Sequence, residues 1–404
     1  MNVLDGKRIV LGVTGSIAVY KSVDLASQLT KSGALVDVIL TEAAAKLVAP
    51  ITFSSVTGRR AYLDGDLWQV DDHVLHINLG ENNQAFLIAP ATANTIAKLA
   101  HGLADNLLTL SALATRSYFI IAPAMDGGMY SNPATQANLE ILKKRGVEIW
   151  GPVTGHLASG LAGKGRMLEP LQLLGHLRQW LGKDGSLSGK KVVVTAGGTQ
   201  EPIDPVRVIS NRSSGKQGYA LAQAALDQGA QVVLISGPTC LIPPLGVELV
   251  EIQTAKELAE ATLRETEKSD LLIMAAAVAD YRPARVSNKK VKKNQGGLSA
   301  IELETTPDIL QEVAERKKKA GSGPKLTVGF AAETENLLEN ARVKLEEKGL
   351  DLIAANDISM ENAGIGADQN QITLIWKDGK SREIPMMDKT DLSGILIEEC
   401  ARLM

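Results

Sequence analysis

What most limits the folds open to this chain is a series of short runs that are aliphatic and β-branched without alternation. RIVLGVTG (8–15), ALVDVIL (34–40), AFLIAP (85–90) and YFIIAPA (118–124) form the first set. A strand with one face in water alternates apolar with polar. A strand apolar throughout is covered on both faces, as in a parallel sheet held between two helix layers. The intervening segments read as helices. In IAVYKSVDLASQLTKS (17–32), Ile17, Val23, Leu25, Ala26 and Leu29 fall largely on one face, and Gly33 follows as a cap. The plan then repeats in KKVVVTAGG (190–198), QVVLISG (231–237), LLIMAAA (271–277), LTVGFAA (326–332) and DLIAAND (351–357). ITLIWKDGKSREIPMM (372–387) predicts a hairpin turning at Asp378-Gly379 that extends the second sheet. The predicted class is α/β: two Rossmann-like domains, each a mostly parallel sheet with helices on both faces. They are placed at 1–182 and 190–404, with the polar stretch GKDGSLSGKK (182–191) giving a linker over 183–189.

In such sheets ligands gather beyond the C-terminal ends of the strands. The loops VTGSIAVYK, APATAN, APAMDGGM, TAGGTQEP, AAAVADYRP and GFAAET are therefore site-facing. A net charge of −3 and 3 % aromatic residues give no case for a nucleic-acid partner. Cys240 and Cys400 are the only cysteines, too few for a disulfide framework or a cysteine zinc site, and no His-x-x-x-His pattern occurs. No apolar run reaches the roughly 20 residues of a membrane span, and MNVLDGKRIVLGVTG lacks a signal-peptide core, so a cytoplasmic location is expected.

Taken singly, the loops leave alternatives open. GVTGSIAVYK sets Ser16 where a turn meets a helix start, which suits a phosphate or a simple N-cap, and it lacks the G-x-G-x-x-G spacing. The small residues of APATANTIAKLAHGLADNLLT (89–109), with Asn94 and Asp105, admit either a flat ring or a close helix. Among His73, His76, His101, His156 and His176, His76 is placed at the edge of a short strand or turn. SNRSSGKQGYALAQAAL (210–226) reads as a phosphate loop running into a helix, yet Gln217 stands where a P-loop has Ser or Thr. NKKVKKN alone is a solvated charge run, and Lys344 and Lys348 share a helix face at i, i+4.

Together these motifs are specific. Residues 1–182 resemble the homo-oligomeric flavin-containing cysteine decarboxylases. The whole chain resembles the bifunctional bacterial enzymes of coenzyme A synthesis, in which a phosphopantothenoylcysteine decarboxylase is fused to a phosphopantothenate–cysteine ligase. In the first half the resemblance implies FMN, held by Gly15, Ser16, Ile17, Ala18, Thr41, Ala91, Thr92 and Asn94. It makes His76, in an H-I-x-L motif, catalytic, and it places Asp126 and Met129 at the substrate. The implied chemistry oxidises the cysteine thiol to a thioaldehyde, which accepts the electrons left by CO₂, and the hydride is later returned. Two positions depart from the family. Asp126 stands in PAMDGGM where Asn is usual, and Ser159 stands in LASG where an active-site Cys is usual. A thiol of pKa about 8.5 gives up a proton that a serine hydroxyl does not. The departures imply a variant proton path; the alternative is a decarboxylase half that is altered or inactive.

In the second half the resemblance implies CTP as co-substrate with 4′-phosphopantothenate and L-cysteine. An acyl-cytidylate forms with loss of pyrophosphate, and the amine then displaces CMP. Asn211 would handle that intermediate, with Ser213 and Gly215 at the substrate, and Lys290 of KVKK would steady charge on the α-phosphate. Met274, Ala275, Ala276, Asp280, Lys290, Thr306, Pro307, Asp308, Ile309, Phe330, Lys344 and Lys348 match the CTP-contacting set, and Mg²⁺ would be bound mainly through the triphosphate. Family assemblies imply decarboxylase trimers in a dodecamer and ligase dimers. Two rivals remain: a nicotinamide dehydrogenase, which lacks its fingerprint here, and a flavoprotein regulatory subunit. The retained His76 and the fused ligase both count against the second.

Overall fold

A computed structural model describes residues 2–68, 74–158, 160, 162–292, 300–333, 335–357 and 366–404. The chain divides into two compact units, Val3–Arg178 and Gln179–Met404, the latter also taking in Asn2, and α9 runs across the division. Among the described residues no helix is long and apolar enough to cross a membrane.

The first unit comprises β1 (Arg8–Val13), α1 (Val19–Lys31), β2 (Leu35–Leu40), α2 (Glu42–Ala45), α3 (Pro50–Thr57), β3 (Ala61–Tyr62), α4 (Leu75–Glu81), β4 (Ala85–Ala91) and α5 (Ala93–His101). It continues with α6 (Leu107–Ala114), β5 (Tyr118–Pro123), α7 (Gly127–Ser131), α8 (Pro133–Lys144), β6 (Glu148–Ile149), β7 (Val153–His156), β8 (Ala162–Arg166) and α9 (Pro170–Gly182). The sheet runs β3-β2-β1-β4-β5-β6 with parallel pairings, the doubly wound order, and its switch point lies between β1 and β4. The strands read apolar throughout because both faces are packed. Val10, Phe86, Ile88 and Ile121 meet Leu107 and Leu108 of α6 on one side, and Phe86 meets Phe119 edge-on at 5.5 Å. Each such side chain contributes about 1.5–3 kcal/mol by leaving water. Gly12 permits the close approach of α6, since a Cβ there would lie 2.5 Å from Leu108 Cδ1.

The second unit opens with β9 (Lys191–Ala196), β10 (Gln200–Asp204), β11 (Arg207–Ser210), α10 (Lys216–Asp227), β12 (Gln231–Ser236), β13 (Glu248–Glu251), α11 (Ala255–Thr266), β14 (Leu271–Met274) and β15 (Tyr281–Pro283). There follow β16 (Leu303–Thr305), α12 (Ile309–Ala320), β17 (Leu326–Glu333), α13 (Leu337–Glu347), β18 (Leu352–Asp357), β19 (Gln369–Trp376), β20 (Ser381–Asp388) and α14 (Lys389–Leu403). Its sheet runs β13-β12-β9-β14-β17-β18-β19-β20. The pairings are parallel as far as β18; the expected hairpin β19–β20 then adds antiparallel strands. Leu221, Ala222 and Ala225 of α10 and Leu392, Leu396 and Ile397 of α14 cover one face. Helices α11 and α12 pack through Leu258, Ala259, Ile309 and Val313, and α13 through Ala341 and Leu345.

The polar stretch read as a linker is seated in this second unit. Leu187 is fully buried in its core, and its N–H donates to Gln228 O at 2.9 Å. The division between units falls earlier, within α9.

Candidate active sites

At the first switch point β1 ends in a tight turn. Ser16 N donates to Thr14 O at 2.8 Å, and Ser16 Oγ accepts from Ala18 N at 3.3 Å. Thr14 is buried; its Oγ1 donates to Pro90 O at 2.6 Å and accepts from Thr92 N at 3.1 Å. This threonine locks the ends of β1 and β4 together and was not singled out in the sequence, since its partners lie more than seventy positions away. Thr41 caps α2, accepting from Ala44 N at 3.3 Å, and Thr92 caps α5, accepting from Thr95 N. A Cβ on Gly15 would lie 2.5 Å from Ala43 Cβ, so the turn admits only glycine there. Gly15, Ser16, Ile17, Ala18, Thr41, Ala91, Thr92 and Asn94 thus collect at one sheet end, with Ala91 buried behind and Ile17 and Asn94 exposed. Backbone amides at two helix starts, lined by small side chains, form a cradle suited to a phosphate and a flat ring.

His76 is not at a strand edge or turn; it lies on α4. The segment is pulled into a helix because Leu75 and Leu79 take inward i, i+4 positions and Gly80 nestles on α6. A Cβ on Gly80 would lie 2.7 Å from Ser111 O. His76 is left half-buried.

Asp126 caps α7, its Oδ1 accepting from Gly128 N at 2.9 Å. It lines a cleft of about 580 Å³ with Gly127, Gly128, Tyr130, Gln136 and Lys164 among others. Met129 is exposed and does not line it. The lid motif falls between β7 and β8, and Ser159 lies outside the described residues. Lys21, inside the GVTGSIAVYK motif, is buried, and it donates to Met167 O at 3.0 Å and to Glu169 at 2.9 Å. It therefore ties the chain just beyond β8 to α1.

The second switch point lies between β9 and β14. Ala277 N donates to Gly197 O at 2.8 Å, and Thr199 N donates to Ala277 O at 3.2 Å. Thr199 Oγ1 then accepts from Ala279 N at 3.0 Å. Asn211 reaches across, its Nδ2 donating to Val278 O at 2.8 Å. Beside it, Gly198, Gln200, Ser210, Asn211, Ser213 and Ser214 contribute to the wall of a cleft of about 320 Å³. Gly215 begins α10 with φ +77°, where a Cβ would meet Thr239 at 2.8 Å. Lys216 donates to Asp368 Oδ1 at 2.6 Å and to Gly366 O at 3.0 Å. Gln217 turns away from the cleft, donating to Ser393 Oγ at 2.9 Å.

On the far side of Val278, Thr306 donates to Ala279 O at 2.6 Å and its N–H to Asp280 O at 3.0 Å. Pro307 follows, and Asp308 caps α12 and pairs with Lys348. Lys344 donates to Phe330 O at 3.1 Å. Burial holds its ammonium below the ordinary lysine range; Glu333, Asp280 and Asp308 partly offset that, while Lys348 adds to it. Ala275 and Ala276 are half-buried and Asp280 is exposed, whereas Met274 and Ile309 are core residues that support this wall from behind. Lys290 is exposed, and its neighbour Val291 is pinned by Asp204 Oδ2 at 3.2 Å and by Arg207 at 3.3 Å. The structure thus brings Asn211 and Ser213 to one cleft, with Gly215 just beyond its lining at the start of α10, and links Thr306 to Ala279 and Asp280, Lys344 to Phe330 and Lys348 to Asp308.

Residues 2–182 match the family model for Flavoprotein, and residues 187–404 match that for the DNA/pantothenate metabolism flavoprotein C-terminal domain. The chain is 44 % identical over 403 residues to the coenzyme A biosynthesis bifunctional protein CoaBC of Bacillus subtilis, covering 99 % of this chain and 98 % of that one. The chain belongs to the coenzyme A biosynthesis bifunctional protein family. It is an enzyme of coenzyme A biosynthesis. The Escherichia coli family member is 41 % identical over 407 residues, with 98 % and 97 % of the two chains covered. A solved C-terminal domain of CoaBC is similar at 40 % identity and TM-score 0.46, covering 54 % of this chain and 97 % of that one. To the residues picked out from the sequence the structure adds Thr14, Lys21, Thr199 and Lys164.

Proposed function

We propose that the second unit joins 4′-phosphopantothenate to L-cysteine with CTP, through an acyl-cytidylate. On this reading the first unit, with FMN, decarboxylates the product to 4′-phosphopantetheine. The observation that carries the division of labour is the Asn211–Val278 hydrogen bond, which ties the wall of the 320 Å³ cleft to the segment running into Asp280, whose carbonyl in turn accepts from Thr306 N. Asn211, Ser213 and Gly215 would hold the acyl phosphate. Asp280, Thr306 and Asp308 would line the nucleotide, while Lys344, Lys348 and the exposed Lys290 offset triphosphate charge. Among the described residues no group of three or more His, Cys, Asp or Glu is arranged to hold a metal ion, and Mg²⁺ would arrive bound to the triphosphate.

The first cradle fits FMN on its own chemistry. Gly15 and Ala43 leave no space for a side chain between them, and the α1 and α5 starts supply amides to a phosphate. When bound, FMN supplies a reversible hydride acceptor. His76 would position the substrate and move its protons. Asp126 takes part in the variant site, which favours a changed proton path and keeps alive the second reading, a ligase whose decarboxylase half is altered. On this reading the protein works in the cytoplasm. Family-like trimers within a dodecamer, with paired ligase units, are the expected assembly.

Incubation with phosphopantothenate, cysteine and CTP, reading pyrophosphate, CMP and CO₂ separately, tests this. All three products support the proposal. Pyrophosphate and CMP without CO₂ assign the altered-decarboxylase reading. A colourless protein that takes up no FMN and releases none of the three overturns it.

A further inference from the structure

Lys164 stands on β8 opposite Thr154, with its ammonium over the Tyr130 ring at 5.5 Å from the centroid. Of the residues lining the 580 Å³ cleft, those carrying charge are Lys164 and Asp126. They arrive on backbones held against each other. Met125 N donates to Gly165 O at 3.0 Å, and a Cβ on Gly165 would lie 2.2 Å from Met125 O. The residue after Lys164 is thereby fastened to the residue before Asp126.

We propose that Lys164 binds the carboxylate of the substrate's cysteine moiety, offsetting the repulsion that Asp126 would otherwise exert. This rests on the decarboxylase reading of the first unit. A carboxylate entering beside Asp126 meets a like charge, which disfavours its ionised form, and a cation in the same cleft reverses that. The Tyr130 ring gives the ammonium a fixed seat. In the reaction the C–C bond to the carboxylate breaks, CO₂ leaves uncharged, and the bond's electron pair stays with the sulfur-bearing fragment. An ion pair to the carboxylate is therefore strongest in bound substrate and fades toward the transition state. Lys164 contributes to binding more than to rate.

The test is calorimetry on the full-length, FMN-loaded protein with two probes. Phosphopantothenoylserine keeps the carboxylate but lacks the thiol; 4′-phosphopantetheine lacks the carboxylate. Lys164→Ala weakens the serine analogue about tenfold and leaves phosphopantetheine unaffected, since a hydrogen bond to a charged group is lost in one case only. KM for decarboxylation rises by a similar factor while kcat does not fall, and Lys164→Arg restores most of the affinity. Adding Asp126→Asn to Lys164→Ala also recovers affinity, because the repelling charge is gone. The ligase rate of each variant reports an intact chain. Equal weakening of both probes, an unchanged serine analogue, or an Asp126→Asn change that recovers nothing would overturn the proposal. So would a Lys164→Ala protein with wild-type KM. A wild-type protein that releases no CO₂ from phosphopantothenoylcysteine overturns the decarboxylase reading and this proposal with it.

Discussion

The two units begin alike and then diverge within a few residues. In the first, β1 passes through Thr14–Ala18 straight into α1, and Thr14 closes the turn against Pro90 and Thr92. In the second, buried Thr199 likewise ties the turn to Ala279, but β9 and α10 are separated by the hairpin β10–β11, and Asn211 adds a bond to Val278. A short turn leaves one phosphate-sized cradle on a single sheet tip. The inserted hairpin instead puts Gln200 and Ser210 into the wall of the 320 Å³ cleft, beside Asn211. The same opening motif therefore supports either cofactor holding or two-substrate activation, depending on what is inserted before the helix.

The largest expected effects would break this comparison outright. His76→Asn is expected to slow CO₂ release by about 10³-fold, and Asn211→Ala to slow CMP release by about as much, with each leaving the other reaction within about twofold. A single variant that lowers both rates would mean the units do not work separately. Next come the glycines. Gly15→Ala places a Cβ 2.5 Å from Ala43 Cβ and should cut the bound FMN, read by flavin absorbance, about tenfold, since overpacking costs about 1–3 kcal/mol. Gly218→Ala places one 2.5 Å from Ala196 Cβ and should lower the unfolding temperature while sparing FMN content. A smaller effect is expected from pH. Lys344 is cationic below its lowered pKa, so KM for CTP should climb as pH rises through a point below the ordinary lysine range. Lys344→Arg should move that climb to higher pH. The smallest concerns Gln217→Met, which removes the bond to Ser393. It should cost about 1 kcal/mol in urea unfolding and change ligase kcat/KM less than about threefold.

The parallel sheets were legible because a strand buried on both faces announces itself in its own residues, as in β1, β9 and β14. The Asp378-Gly379 hairpin was legible through its turn. The short hairpins β7–β8, β10–β11 and β15–β16 were not. Val208, Tyr281 and Leu303 are exposed, and the buried positions of β10 are the polar Glu201 and Asp204, so no apolar face marks these strands. HINLG alternates like a strand edge, yet Leu75, Leu79 and Gly80 find a better surface on α6 and wind it into a helix. GKDGSLSGKK looks like a tether because its one apolar residue, Leu187, is invisible as a core residue until α10 and β12 are packed beside it.

The order of residues along the chain alone determined the α/β class, the repeat of the plan, and which loops end at the sheet tips. Burial on two faces and helical periodicity are written locally, within a few neighbours. Tertiary structure alone decided that Thr14 closes on Pro90, that Lys216 faces Asp368, and that Lys164 shares a cleft with Asp126. Those pairings depend on how strands and helices cross in space, and a contact between distant residues leaves no periodic trace in either of them.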